Sequence, residues 1–204
     1  MRILIIDTAT TACSIALFED GALLASEYDV IGRGHAERLI PMIADLPQLG
    51  RADQIYVNAG PGSFTGIRVG LSAAKALALV WDVPCHGYSN LQLIAAMANK
   101  NAPVDVAING GHGEIFFQRF DDQNTPITEL QSLPPAAAAA LSVAPVIAGD
   151  AAQSLCNLRG SGQAVDILPD ARQWFAISNQ APLPPSPIYG RAPDAKLPTK
   201  RPNT

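Results

Sequence analysis

Two stretches of the chain hold residue types that could bind or transform a ligand. The first is Asp7-Thr8-Ala9-Thr10-Thr11, a carboxylate followed by hydroxyls and set between two apolar runs. Such a turn can hold a phosphate through backbone amides and a metal through Asp7, with Thr8 and Thr10 as phosphate donors, or it can simply satisfy its own backbone. The second is N-A-G-P-G-S-F-T-G-I-R-V-G-L, residues 58 to 71. Gly60, Gly62 and Gly66 are spaced G-x-G-x-x-x-G, one residue longer than the dinucleotide fingerprint, and no Gly-Lys-Ser/Thr follows to make a phosphate loop. The loop opens a helix, whose free amides attract anions. The plainer reading is a tight turn in which Pro61 fixes a dihedral, the glycines permit close backbone approach and Ser63 caps the helix.

Other chemistries lack the necessary spacing. His35, His86 and His112 are scattered, with no H-x-x-x-H or H-E-x-x-H to put two ligands on one helical face, so no metal site is expected. Cys85 and His86 are adjacent, and neighbours on a strand point to opposite faces. They cannot pair as nucleophile and base. Ser63 lies in G-P-G-S-F-T-G, not in the G-x-S-x-G of an esterase elbow.

The elements that must position these residues follow from periodicity. Ile3 to Ile6, Cys13 to Phe18 and Ala22 to Tyr28 read as a three-stranded meander, with Asp20-Gly21 as a two-residue hairpin turn. A helix follows over His35 to Leu46, with Pro41 either kinking it or marking its first turn. Gln54 to Asn58 read as a buried strand, Phe64 to Trp81 as the longest helix, Val83 to His86 as a short strand, and Ser89 or Asn90 caps a helix to about Asn99. Residues 104 to 120, V-D-V-A-I-N-G-G-H-G-E-I-F-F-Q-R-F, then repeat the strand, turn and strand layout of residues 2 to 18, at an offset of 102. Asn109 falls on Asp7 and Phe120 on Phe18. A third strand near Pro126 to Leu130, helices from Pro135, Asp150 and Asp170, and strands at Val146 and Val165 continue the parallel. The expected organisation is an α/β chain of two related lobes, 1–101 and 102–180, followed by a proline-rich tail, 181–204.

The long helix bears on function. Between Phe64 and Trp81 the only charges are Arg68 and Lys75, on one stripe with Ser72, and nearly everything else is apolar or small. A helix hydrophobic on most sides is covered on most sides. Gly66, Gly70 and Ala74, four apart, form a smooth row that a second helix can approach closely. That row packs either inside the chain or against a partner.

Charge and cysteine usage exclude several classes. Fourteen basic against eighteen acidic residues leave a net charge of -4, without the basic footprint of a nucleic-acid binder outside the tail, where Arg191, Lys196, Lys200 and Arg201 lie. If RNA is bound at all, a partner is expected to supply most of the grip. The three cysteines, Cys13, Cys85 and Cys156, are odd in number and far apart, which fits a reducing cytoplasm. The N-terminus reaches Asp7 after four apolar residues, so neither a signal peptide nor a membrane span is expected.

The segments I-L-I-I-D-T-A-T-T-A-C-S-I-A-L-F, H-A-E-R-L-I-P-M-I and G-P-G-S-F-T-G-I-R-V-G-L-S-A-A-K-A-L-A, in this order and spacing, resemble the TsaB (YeaZ-type) family. The resemblance covers roughly residues 1 to 100; beyond them Pro187-Ile188-Tyr189 and Arg191 are similar to the family's C-terminal pattern. It implies the duplicated actin, hexokinase and Hsp70-like (ASKHA) fold, with mixed sheets flanked by helices. It also implies a non-catalytic scaffold subunit of tRNA N6-threonylcarbamoyladenosine synthesis at position 37, supporting a TsaD-type catalytic subunit and a TsaE-type ATPase, and a homodimer when alone. The face expected to meet TsaD or a second copy comprises His35, Leu39, Met42, Ile43, Gly66, Arg68, Gly70 and Ala74. ATP and a divalent metal are expected in the partner subunits. In this one, Y-S-N-L-Q-L at 88 to 93 stands where the catalytic relative has a histidine metal motif, and Ala9 stands where nucleotide-binding members place glycine. N-G-G-H-G-E at 109 to 114 and Gly190 depart from the family pattern. The alternatives are a small ATP-dependent phosphotransferase built on Asp7, or a peptidase-like relative.

Overall fold

The computed structural model describes residues 1–98 and 101–190; the basic tail from Arg191 lies outside them. Strands β1 (Arg2–Asp7), β2 (Ala12–Glu19) and β3 (Ala22–Val30) form the expected meander. Its second hairpin, β2 to β3, turns at Asp20 and Gly21, both at positive φ (50° and 84°), which is the type I′ geometry that asparagine, aspartate and glycine tolerate best. Helix α1 (His35–Asp45), β4 (Gln54–Asn58), α2 (Phe64–Trp81) and β5 (Cys85–Tyr88) complete the first unit. Pro41 sits inside α1 on its exposed side. The sheet order is β3-β2-β1-β4-β5, antiparallel through the meander and parallel across β1, β4 and β5.

After α3 (Asn90–Ala98) the pattern recurs: β6 (Val104–Gly111), β7 (Glu114–Phe120), β8 (Gln131–Leu133), α4 (Pro135–Leu141), β9 (Val146–Ala148), α5 (Ala152–Arg159) and β10 (Gln163–Val165). The second sheet runs β10-β9-β6-β7-β8, the first order read backwards. The third strand starts later than expected, with only an isolated bridge at Pro126, and β10 ends at Val165. The expected helix after Asp170 is a 3₁₀ segment, Ala171–Ile177, capped by the Asp170 carboxylate.

Period-two alternation distributes the side chains into layers. Leu4, Ile6, Ile15 and Leu17 face α1 and α2, while Ile3, Ile5, Ala16 and Phe18 face Leu93 of α3 and Trp174 of the 3₁₀ segment. In the second sheet Val104, Val106 and Ile108 pack on Leu91 and Ile94 of α3, and Ala107, Ile115 and Ile147 on α4 and α5. Strand pairing respects the boundary near residue 101, but packing crosses it. Helix α3 covers the second sheet and the 3₁₀ segment covers the first, so the two units share a middle layer.

Helix α2 is the one described helix long and apolar enough to cross a membrane by length and composition. Gly66, Ile67, Gly70, Leu71 and Ala74 bury one of its sides on β1 and β4. It is the core helix of the first lobe.

Candidate functional site

Asp7 ends β1 beneath the turn and is fully buried. Its Oδ2 accepts hydrogen bonds from Asn58 Nδ2 (2.7 Å) and the Tyr88 hydroxyl (2.8 Å), and its Oδ1 accepts one from the Ala9 amide (3.2 Å). Thr8 is also buried, and its hydroxyl donates to the Gly66 carbonyl at 2.7 Å. Thr10 alone of the three phosphate candidates lines the cleft between the lobes, and its Oγ1 accepts from the Ala12 amide. Of the two readings the turn left open, Asp7 and Thr8 follow the second, their polar atoms satisfied within the chain rather than turned to a ligand. Residues at this position that served magnesium and phosphate would need a carboxylate facing the cleft; here both oxygens are spent inward, and the residues do not fit that group.

The glycine loop explains why. The Ser63 amide donates to the Ala9 carbonyl at 2.7 Å, and a Cβ on Gly62 would collide with that same carbonyl. Gly60 donates to Asn58 Oδ1 (2.8 Å), and Asn90 holds the carbonyls of Gly60 and Pro61. The loop therefore docks on the Asp7 turn itself. Its glycines serve backbone-to-backbone contact, and Ser63 caps α2 by accepting from the Gly66 amide.

Burial pushes the Asp7 carboxyl from 3.8 up to about 6, against the lowering effect of the bonds from Asn58, Tyr88 and Ala9. The native state thus keeps this proton at pH values where the unfolded chain has lost it, so stability falls as pH rises through the window from about 4 to 6. At about 1.4 kcal/mol per pH unit, the cost at neutral pH is roughly 3 kcal/mol. Asp7→Asn retains an acceptor for Asn58 and Tyr88 and cannot ionise. Urea unfolding at pH 4.5 and 7.5 should show the wild type losing about 2 kcal/mol relative to the variant on going to the higher pH. An equal gap at both pH values would mean that folding does not raise the Asp7 pKa.

The residues expected to face a partner divide sharply. His35, Leu39, Met42, Ile43, Gly66, Gly70 and Ala74 are buried within the chain, and Arg68 alone of the eight is exposed. His35 Nε2 bonds the Ala12 carbonyl, and a Cβ at Gly66 or Gly70 would strike the Thr8 backbone carbonyl or hydroxyl. The small-residue row is what lets α2 lie directly on the turn after β1. The row is corrected to an internal contact.

The outer face of the same two helices carries a different set. Phe64 (58% exposed), Leu79 (83%) and Val80 (77%) lie on α2 and Ile40 (50%) on α1. Ala36, Leu39 and Ile40 of α1 and Phe64, Arg68, Val69 and Ala73 of α2 line a shallow groove between the helices. The Arg68 guanidinium stacks 3.6 Å from the Phe64 ring centroid and donates to the Tyr189 hydroxyl at 3.2 Å. Ion pairs from Arg38 to Glu27 and Asp29 fix α1 against β3. Of the two helices expected to face a partner, the named residues other than Arg68 lie on the inner sides. A signal missed in the sequence was that Phe64 and Leu79 fall on the Arg68–Ser72–Lys75 stripe, the polar and therefore outward one.

A cleft of about 490 Å³ separates the lobes, lined by the turns at Ala9–Thr11 and Asn109–His112, the start of α2, Asp150 and Pro187–Gly190. The Asn109 amide donates to Asp150 at 2.8 Å. Asn109, which falls on Asp7 in sequence, is exposed. The two turns are thus matched in position and opposite in burial.

A doubled α/β fold with two five-stranded mixed sheets, a shared middle layer and a cleft between them defines an actin-like protein. The family of tRNA N6-adenosine threonylcarbamoyltransferases, TsaD, matches over residues 29–173. A tRNA threonylcarbamoyladenosine biosynthesis protein TsaB of Escherichia coli is 40% identical over 133 residues, 61% of this chain and 57% of that protein. An uncharacterised protein of Mycobacterium tuberculosis is 30% identical over 95% of this chain and 93% of its own length. Among solved structures, YeaZ from Pseudomonas aeruginosa has a TM-score of 0.75 at 26% identity, covering 92% of this chain and 99% of that one. The ethanolamine utilisation protein EutJ of Carboxydothermus hydrogenoformans shares the fold at a TM-score of 0.52 and 10% identity. The chain belongs to the TsaD family, has the ASKHA fold, and is similar to TsaB and YeaZ proteins. It spans about half the length of the curated TsaB relatives it matches, 57% and 53% for the first two.

Proposed function

We propose that this chain is a cytoplasmic, non-catalytic scaffold subunit of tRNA threonylcarbamoyladenosine synthesis. Its outer α1–α2 face docks a TsaD-type catalytic subunit or, when alone, a second copy. The observation that carries the reading is the exposed apolar stripe of Ile40, Phe64, Leu79 and Val80 on helices whose inner sides are already filled. The stripe contains an aromatic and an arginine stacked together, side-chain types enriched at docking centres. The TsaB relatives support the pathway, and the inward-turned Asp7 supports a subunit without a nucleotide site of its own. ATP and a divalent metal then belong to the TsaD and TsaE partners, and tRNA is reached only through the complex.

Light scattering of the purified chain, alone and mixed with the TsaD-type protein of the same cell, tests the proposal. A homodimer that exchanges into a one-to-one heterodimer is the expected outcome. A monomer indifferent to that protein would sink it.

A further inference from the structure

The segment from Leu183 to Gly190 is clamped to both lobes. Leu183 and Gly87 exchange backbone hydrogen bonds at 2.7 and 2.9 Å, adding a bridge to the edge strand β5. The Ile188 amide donates to the Ala59 carbonyl at 2.7 Å, beside the glycine loop. Gly190 lies so close to the Phe116 ring of β7, in the second lobe, that a Cβ there would overlap the ring. Pro187 to Gly190 thereby form one wall of the interlobe cleft. Tyr189 in the middle turns outward, 56% exposed, and meets Phe64 (ring centroids 6.2 Å apart) and Arg68 (3.2 Å) on the outer side of α2.

Tyr189 thus belongs to two places at once. Its neighbours on either side close the cleft, and its ring extends the apolar stripe at the end where Phe64 and Arg68 stack. The backbone between them is short and held by hydrogen bonds on one lobe and by ring contact on the other, which gives a change at one place a physical route to the other. We infer that the Leu183–Gly190 strap couples the interlobe cleft to the α1–α2 docking face, a partner seated there clamping Tyr189 and holding the two lobes at a fixed angle. This rests on the docking reading given above. Reciprocity gives the converse: freeing the strap from the second lobe weakens docking, although no residue of the docking face has changed.

The experiment combines amide hydrogen exchange with binding to the TsaD-type protein of the same cell. In the unaltered chain, the Ile188, Leu183 and Gly87 amides should exchange at least fivefold more slowly once the partner is bound. Gly190→Ala, which lifts the strap from Phe116, and Ile188→Pro, which deletes the bond to Ala59, should each weaken docking fivefold or more while exchange in α1 and α2 stays unchanged. Unaltered strap exchange on docking overturns the coupling even if neither variant folds, as does wild-type docking by both variants. Ile40→Asp separates the two readings. If it abolishes docking and the strap variants do not, the docking face stands and the coupling falls; if it docks like wild type, the docking face is misplaced and the coupling falls with it.

Discussion

Gly70→Arg is expected to leave no folded protein. The position lies on the inner side of α2, where even a Cβ would overlap the Thr8 hydroxyl and touch Val57 and Ile6, whose side chains are fixed in the first sheet. Relief would require α2 to move away from β1 and β4, opening the contact that buries Ile67, Leu71 and Ala74. Overpacking of this kind costs about 1–3 kcal/mol for added methylenes alone. A guanidinium without a counter-ion in that layer adds several more, since Asp7 nearby already spends both oxygens. The sum approaches the whole stability of an ordinary domain, about 5–15 kcal/mol. Soluble yield and the far-ultraviolet spectrum measure it directly. A soluble, wild-type-like monomer that no longer associates would return the Gly66–Gly70–Ala74 row to the partner face.

That row shows where the sequence speaks clearly and where it stops. Spacing by four says that something approaches α2 closely; it does not say what. The approaching group is the chain's own turn after β1, joined by a contact between residues 58 positions apart, Thr8 to Gly66, that no local pattern encodes. The Asp7 turn is similar. Its residue types suit a phosphate as well as a self-satisfied turn, and the choice is made by Asn58 and Tyr88, which arrive from β4 and the end of β5. By contrast, the meander, the Asp20-Gly21 hairpin and the half-length repeat depend on local alternation and turn chemistry, and they are legible. The middle layer is not, because α3 and the 3₁₀ segment each cover the sheet of the other unit, a choice made by packing after the sheets exist. The strap was legible only as proline-rich chain, since its meaning lies in the partners of Leu183, Ile188 and Gly190.

On the outer side the expectation reverses, and Ile40→Asp should spare the fold while destroying association. Ile40 is half exposed on the rim of the α1–α2 groove, and a surface substitution of this kind usually alters stability by no more than about 0.5 kcal/mol. Docking would place the new carboxylate between apolar surfaces, close to the Phe64 ring that lines the same groove. Desolvating an unpaired charge there, together with loss of the aliphatic anchor, costs at least about 2 kcal/mol, or roughly a thirtyfold weaker complex. Among the described residues lining the groove Arg68 is the one cation, and it is held by Phe64 and Tyr189. Should Arg68 leave them to neutralise the new carboxylate, the Phe64–Tyr189 end of the stripe would lose its fixed geometry, so rescue by that route also weakens docking. Sedimentation velocity of the variant with the TsaD-type protein, beside a thermal melt, gives both numbers in one preparation. An unchanged melt with lost association places the docking surface on the outer face; lost association with a collapsed melt would make Ile40 a core residue, contrary to its exposure; and wild-type association would move the partner to another part of the molecule.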